Sequence, residues 1–502
     1  MPAVAKVLVA NRGEIACRIL RACRELGLPT VAVYSQADRD ARHVYLADEA
    51  VLLGPAPSAE SYLRADKVLQ ACKQTGATLV HPGYGFLSEN EHFRLACDEQ
   101  GITFVGPSAQ AMHQMGVKTW ARDAMKAAGV AVVPGSDGPL ATLQEARKYA
   151  ENVGYPVLLK AASGGGGKGI RLVEKEADLG AALEGAQREA GAYFGDTTIY
   201  IEKFIVNPRH VEIQVLADRH GNTIHLFDRE CSVQRRNQKI IEESPAANLS
   251  DKTRLAMGAM AVQAARAVNY ESAGTIECLV DPDENFYFME MNTRLQVEHP
   301  VTELVTGVDL VAEQLRIALG EPMSVRQDQV TQRGHAIEVR VYAEDPARNF
   351  QPSPGPLRVY RPPHGPGLRL DDGFGEGDVV SNFYDPMIAK LSAWAPTRPQ
   401  CIARMASALD SFEIAGISHN IEHLQQVLAS EPFRTGHYDT GIVKTLAPLA
   451  TDPPDDDVSA ALAVLLHHRR AAGQASPSTA GPHVFTQESA WALAARLGAV
   501  RR

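Results

Sequence analysis

The chain has 502 residues, room for about two to four domains, and its 45% hydrophobic and 22% charged content is that of a globular protein. No apolar run approaches the ~20 residues a membrane-spanning helix needs, which excludes that class. A net charge of −10 argues against general affinity for nucleic acid, so any anion must bind at a local site.

The opening "MPAVAKVLVANRGE" breaks into Asn-Arg-Gly-Glu instead of a small-residue cleavage site, and it reads as a first strand. Asn11 and Glu14 resemble a capping box for the helix that follows, and Gly27 ends it. Strand and helix patterns then alternate through "PTVAVYS", "ATLVHPGYGFLSEN" and "ITFVGPS", the signature of a parallel, Rossmann-like sheet. No G-x-G-x-x-G follows the first strand, so a nicotinamide cofactor is not expected there. "HPGYGFLSEN", around His81, reads as a structural turn. Residues from about 116 to 135 form a helical link. From about Tyr200 the chain is rich in strands, and after Gly334 a further unit is expected, ending near residue 447. An acidic linker, "TDPPDDD", and an Ala-rich tail follow. Seven cysteines (Cys17, Cys23, Cys72, Cys97, Cys231, Cys278 and Cys401) never form a C-x-x-C pair, which points to a reducing, cytoplasmic setting.

Three patterns carry chemistry. In "SGGGGKG" (Ser163 to Gly169) the glycines let backbone N–H groups approach phosphate oxygens, and Lys160 and Lys168 add charge. The string is not a P-loop, since no Ser or Thr follows Lys168, and the flanking apolar strands suggest a hairpin. The alternative is a surface turn. In "GTIECLVDPDENFYFMEMN" two strands flank a four-residue turn, Pro282 to Asn285. An unbulged pairing sets Glu277 against Glu290, Thr275 against Asn292 and Leu279 against Phe288. Opposed carboxylates repel unless a cation lies between them, and two carboxylates with an amide oxygen suit Mg²⁺ or Mn²⁺. Beyond them "RLQVEHPVTE" continues what reads as one strand face with Arg294, Gln296 and Glu298. Arg and Gln donors suit a small anion such as bicarbonate, and a carboxylate suits proton abstraction. A polar rim of structural ion pairs is the alternative. His210, Glu212 and Gln214 in "HVEIQV", and Glu338, Arg340 and Tyr342 in "HAIEVRVYAED", share polar faces for which solvation is the ordinary reading.

Taken together, "ANRGEIA", "HPGYGFLSEN", "SGGGGKG", "NPRHVEIQ", "QRRNQK", "MEMNTRLQVEHPVTE" and "YDPMIAKL" resemble biotin carboxylase, an ATP-grasp enzyme, over roughly residues 1 to 447. The resemblance implies a multidomain α/β and α+β fold. Its parts are a Rossmann-like N-terminal domain (1–115), an ATP-grasp domain (116–332, lid about 135–203) and a mixed, β-rich C-terminal biotin carboxylase domain (333–447). A linker and tail (448–502) is left for partner docking. It implies ATP held by Lys118, Lys160, Gly164, Gly165, Gly166, Gly167, Glu202, Lys203, Phe204, Ile205, His210, Gln234 and Leu279. Metal would sit on Glu277, Glu290 and Asn292, and bicarbonate on Lys239, Arg294, Gln296, Val297 and Glu298. Lys239, Arg294, Glu298 and Arg340 would be catalytic, Glu298 as base and Arg340 steadying the biotin enolate. The implied partners are a biotin carrier, a carboxyltransferase and a second copy of the chain in a homodimer. Biotin is expected on a separate carrier, because the tail has no Met-Lys-Met sequence. Asn237 departs from the His of many relatives. Another ATP-grasp ligase joining a carboxylate to an amine, or a non-catalytic ATP-binding scaffold, are the competing expectations.

Overall fold

Val7–Val9 (β1) has no polar side chain, as suits a strand covered on both faces. In the computed structural model it is the middle of a five-stranded parallel sheet. Its neighbours are Thr30–Ser35 (β2), Glu49–Gly54 (β3), Leu79–His81 (β4) and Thr103–Phe104 (β5), in the order β3-β2-β1-β4-β5. The structure describes residues 5–449 except 117, 137, 141, 162–169 and 195–196, without the side chains of 118, 119, 193 and 194. The chain divides into two units, 1–449 and 450–502, and the described residues all belong to the first.

The expected capping box does not form. Arg12 is the N-cap of the helix Gly13–Glu25 and makes no side-chain cap bond. Asn11 Nδ2 instead donates to the carbonyls of Pro82 and Tyr84, and Glu14 is buried against Tyr84 and Lys390. Tertiary partners outcompete the local cap because this turn packs on the segment after β4.

Val157–Ala161 (β6) and Ile170–Val173 (β7) do form the hairpin predicted around the glycine string, and Ile199–Lys203 (β8) pairs with the other edge of β6. The helices Leu143–Val153 and Glu176–Phe194 cover this small sheet, with Ala146, Ala150, Leu179 and Leu183 packed on Val157, Leu159 and Ile201.

The largest element is an eight-stranded antiparallel sheet. It begins with Phe286–Asn292 (β13), Ser272–Val280 (β12), Arg209–Ala217 (β9), Thr223–Arg235 (β10), Gln238–Ser244 (β11) and His335–Tyr342 (β14). Met387–Ala395 and Leu368–Asp372 complete it. Three of its strands therefore lie beyond Gly334, where a further unit was expected, and the sheet runs unbroken across that point. The helix Asp251–Ala267 and the link helices Ala109–Gly116 and Lys118–Ala127 pack on Val211, Ile213 and Ile276. The helices Arg398–Asp410 and Ile421–Ala429 pack on Ile337, Val339 and Leu391. With both faces covered, the solvated-face reading fails: every residue from His210 to Ala217 and throughout β14 is buried.

Such burial requires that each acid be paired. Glu243 on β11 accepts from His335 Nε2 (2.6 Å), Arg398 Nε and Nη2 (2.7 and 3.0 Å) and the Tyr438 hydroxyl (2.5 Å). Burial alone would raise this carboxyl, but His335 and then Arg398 outweigh it and lower it from 4.5 to about 2. A depressed folded-state value stabilises above the unfolded one, so this contribution is complete above pH 4.5 and is lost as pH falls toward 2. Glu243→Gln is expected to cost about 3 kcal/mol near neutrality and progressively less below pH 4.5, read as the gap between wild-type and variant unfolding midpoints across a pH series.

Candidate active site

The site lies on the polar face of the large sheet. Glu212 on β9, Glu277 on β12 and Lys239 on β11 are brought together there from strands far apart in sequence. Gln234 and Lys239 sit opposite each other across a two-residue turn, Arg236-Asn237. Both turn residues have positive φ (51° and 66°), the geometry of a type I′ hairpin, which Asn adopts readily. That accounts for an Asn at position 237.

The Lys239 ammonium donates to Glu212 Oε2 (2.7 Å), Glu277 Oε1 (2.9 Å) and Glu298 Oε1 (2.5 Å). Burial disfavours its charge, but the acids around it hold its pKa well above the ordinary lysine value. Glu298 is likewise buried, which alone would neutralise it. Lys239, Arg340 and Arg229 keep it ionised, its pKa well below normal. Arg340 Nη2 reaches its second oxygen at 3.0 Å, and Arg340 Nε donates to Glu242 Oε1 at 2.7 Å. Glu277 is also held ionised against burial by Lys239 and His210, whose Nε2 lies 3.1 Å from Glu277 Oε2.

The strand containing Glu290 ends at Asn292, so Arg294, Gln296 and Glu298 are not one strand face as expected. They lie on a turn that enters the helix His299–Thr306, with Glu298 as its N-cap. The turn nevertheless converges on the site. Gln296 Nε2 donates to Glu277 Oε1 (3.0 Å), and Arg294 donates to Gln296 Oε1 (2.8 Å) and Asn292 Oδ1 (3.0 Å). The carbonyl of Val297 accepts from Lys390 Nζ at 2.6 Å.

The β12–β13 pairing is as expected at the site end, with Glu277 opposite Glu290 and Thr275 opposite Asn292. A register shift beyond Glu277 then sets Leu279 against Tyr287, not Phe288, and the connecting loop is Asp281 to Asn285. The cause is a bulge at Met289, one extra residue on β13 that periodicity cannot show. Glu277 and Glu290 thus present hard oxygen donors side by side, with Asn292 next on the same strand, a set that fits Mg²⁺ or Mn²⁺. His210, Glu212 and Glu277 also cluster closely enough for a metal, but the Lys239 ammonium already offsets that group's charge.

Of the residues assigned to ATP, Lys160 pairs with Glu202 Oε2, and Arg122 reaches Glu202 Oε1 at 3.3 Å. Lys203 donates to the carbonyls of Gly154 and Tyr155, the Phe204 N–H donates to Pro156 O, and Ile205 is buried. Gln234 Nε2 bridges His210 Nδ1 (3.0 Å) and the Cys231 carbonyl (2.8 Å). Leu279 stands opposite His210 and is half-buried. Gly164 to Gly167 and the Lys118 side chain lie outside the described residues.

Several contributors were missed from sequence. Glu89, within the segment read as only a structural turn, accepts from Arg294 Nε at 2.9 Å and from the Thr293 N–H at 3.1 Å. Arg229, fully buried, binds Glu212, Gln214, Thr275 and Thr302. Cys231 lies 3.8 Å from Glu298 Oε1, with burial pushing its thiol well up, and Glu242 backs Arg340. Each acts through a partner distant in sequence, and only the shared polar face of "HVEIQV" gave any signal, for Glu212.

Three family profiles match consecutive stretches: "Biotin carboxylase, N-terminal domain" over 3–112, "Carbamoyl-phosphate synthase L chain, ATP binding domain" over 118–326, and "Biotin carboxylase C-terminal domain" over 338–445. Biotin carboxylase of Halalkalibacterium halodurans is 51% identical over 438 residues, 87% of this chain and 97% of that protein. Biotin carboxylase 1 of Bacillus subtilis is 51% identical over 88% of this chain and 98% of its own length. Among solved structures, the biotin carboxylase domain of a thermophilic 2-oxoglutarate carboxylase bound to bicarbonate matches with a TM-score of 0.84 and 46% identity, covering 88% of this chain and 97% of that one. With its site geometry, its three profile matches and relatives this similar over nearly their whole lengths, this chain belongs to the biotin carboxylase family.

Proposed function

We propose that the chain carboxylates biotin on a carrier protein, using ATP and bicarbonate by way of carboxyphosphate, as the biotin carboxylase component of an acyl-CoA or related carboxylase. The observation that carries this reading is Glu298, a buried carboxylate held ionised between Lys239 and Arg340, beside Arg294 and Gln296. An amine-joining ATP-grasp ligase needs no such anion-and-base set, and a silent scaffold has no use for it.

Bicarbonate would bind among Lys239, Arg294, Gln296, Val297 and Glu298. Glu298 takes its proton while a bicarbonate oxygen attacks the γ-phosphorus of ATP and the bond to ADP breaks. The carboxyphosphate formed divides into CO₂ and phosphate. Phosphate accepts the N1′ proton of biotin, Arg340 steadies the negative charge on the ureido oxygen, and N1′ attacks CO₂. Glu277, Glu290 and Asn292 would hold the metal, which when bound neutralises phosphate charge and orients the γ-phosphoryl group. Lys118, Lys160, the Gly164 to Gly167 string, Glu202 to Ile205, His210, Gln234 and Leu279 would hold ATP. Carboxyphosphate hydrolyses readily, so the proposed lid, about 135–203, would serve to exclude water.

The proposed division of labour follows residues 1–115, 116–332 and 333–447, leaving 448–502 to dock a partner. A carboxyltransferase is the proposed consumer of carboxybiotin, and a homodimer the proposed assembly; a biotin carboxylase domain dimer is among the similar solved structures. A cytoplasmic setting is supported by seven free, buried cysteines, and among the described residues no helix is long and apolar enough to cross a membrane.

ADP release by the purified chain with MgATP is expected to require bicarbonate and to rise with free biotin; release indifferent to both would overturn the reading. Glu298→Gln should lower kcat by about 100-fold or more while ATP still binds, as loss of a general base does. Glu290→Gln should raise the magnesium concentration needed for half-maximal rate without moving the KM for biotin, measured by titrating Mg²⁺ at fixed ATP.

A further inference from the structure

Val297 is half-buried between two buried neighbours, Gln296 and Glu298. Both of its peptide units are fixed from behind. The carbonyl of Gln296 accepts from His299 Nδ1 at 2.8 Å, and the carbonyl of Val297 accepts from Lys390 Nζ at 2.6 Å. In a trans peptide the N–H points opposite to its C=O, so the Val297 and Glu298 N–H groups face away from His299 and Lys390 respectively. A cation on a carbonyl also polarises the N–H at the other end of that peptide.

Neither residue has an exposed role to explain it. The Lys390 side chain is wholly inaccessible to solvent, with Glu14 Oε1 at 3.4 Å and the Tyr84 ring below its ammonium at 5.9 Å. It stands opposite Arg340 on one neighbouring strand and Asp371 on the other. Burial opposes its charge, but Glu14, Glu338 and Asp371 keep it protonated. His299 is fully buried, and burial together with Lys390, Arg369 and Arg18 keeps its imidazole neutral. Its Nδ1 faces a carbonyl and so bears the proton, while Nε2 has no partner among the described residues. A buried lysine and a buried neutral histidine spent on two adjacent carbonyls of one turn are costly unless that turn must be held in place.

We propose that His299 and Lys390 are positioning residues for bicarbonate: by clamping the two peptide units about Val297 they set the Val297 N–H and the flanking Gln296 and Glu298 side chains for the bound anion. This rests on the bicarbonate site proposed above. Lys390 also ties that turn to Glu14 and Tyr84 of the N-terminal region, which makes the anion site a joint product of both ends of the described chain.

The test is steady-state ADP release by the full chain, varying bicarbonate at saturating MgATP and biotin, and varying ATP separately. His299→Leu and Lys390→Met are expected to raise the KM for bicarbonate roughly tenfold, with the KM for ATP within about twofold of wild type. His299→Asn places an amide N–H near Nδ1 and is expected to recover most of the loss. An unchanged bicarbonate KM in both variants, equal rises in both KM values, or no difference between the Leu and Asn variants would overturn the proposal. Should Lys390→Met fail to fold, the His299 pair decides alone. Arg294→Ala separates the two levels: if it too leaves the bicarbonate KM untouched, the site assignment itself fails, whereas a rise there with unchanged His299 variants removes only the clamp.

Discussion

One ammonium organises the centre of the large sheet. Lys239 touches Glu212, Glu277 and Glu298, three carboxylates from different elements that could not share a buried space without it. Like charges so close would repel by several kcal/mol at interior dielectric and drive protonation. With Lys239 among them, and Arg229 and Arg340 on the outer oxygens, Glu298 and Glu277 stay ionised. Ionised carboxylates are what the base role proposed for Glu298 and the metal role proposed for Glu277 need, so the packing constraint serves the proposed chemistry directly.

The sheet pays a second cost, in that its polar face is roofed over. Strands with acids and arginines at alternate positions ordinarily turn that face to water, yet here the N-terminal helix Gly13–Glu25 and the turn into His299–Thr306 close over parts of it. The consequence is a network in which acids on that side find an arginine: Glu212 with Arg229, Glu298 with Arg340, Asp371 with Arg369, Glu303 with Arg18. Such networks stabilise little over an apolar core but hold side chains in one arrangement, which a site assembled from many strands requires.

Much of this was legible because some residues act through local spacing. Glu277 and Glu290 fall opposite each other by counting across one hairpin, and the apolar runs about the glycine string announce a hairpin by themselves. Where the reading failed, a distant partner or a backbone irregularity intervened. Asn11 and Glu14 left their expected cap for Pro82, Tyr84 and Lys390, the bulge at Met289 moved Leu279 onto Tyr287, and Glu89 reached Arg294 across more than two hundred positions.

By itself the sequence determined the alternating strands and helices at the N-terminus, the acid pair of the hairpin and, through long matching strings, the family. These depend on periodicity and identity, which are properties of the chain alone. Only the tertiary structure decided that His210, Glu212 and Gln214 face a buried site and not water, that Arg294, Gln296 and Glu298 come from a turn and not a strand, and that Lys390 and His299 stand behind Val297. Burial and ion pairing are set by what packs against a face, and the elements that do so here lie hundreds of residues away.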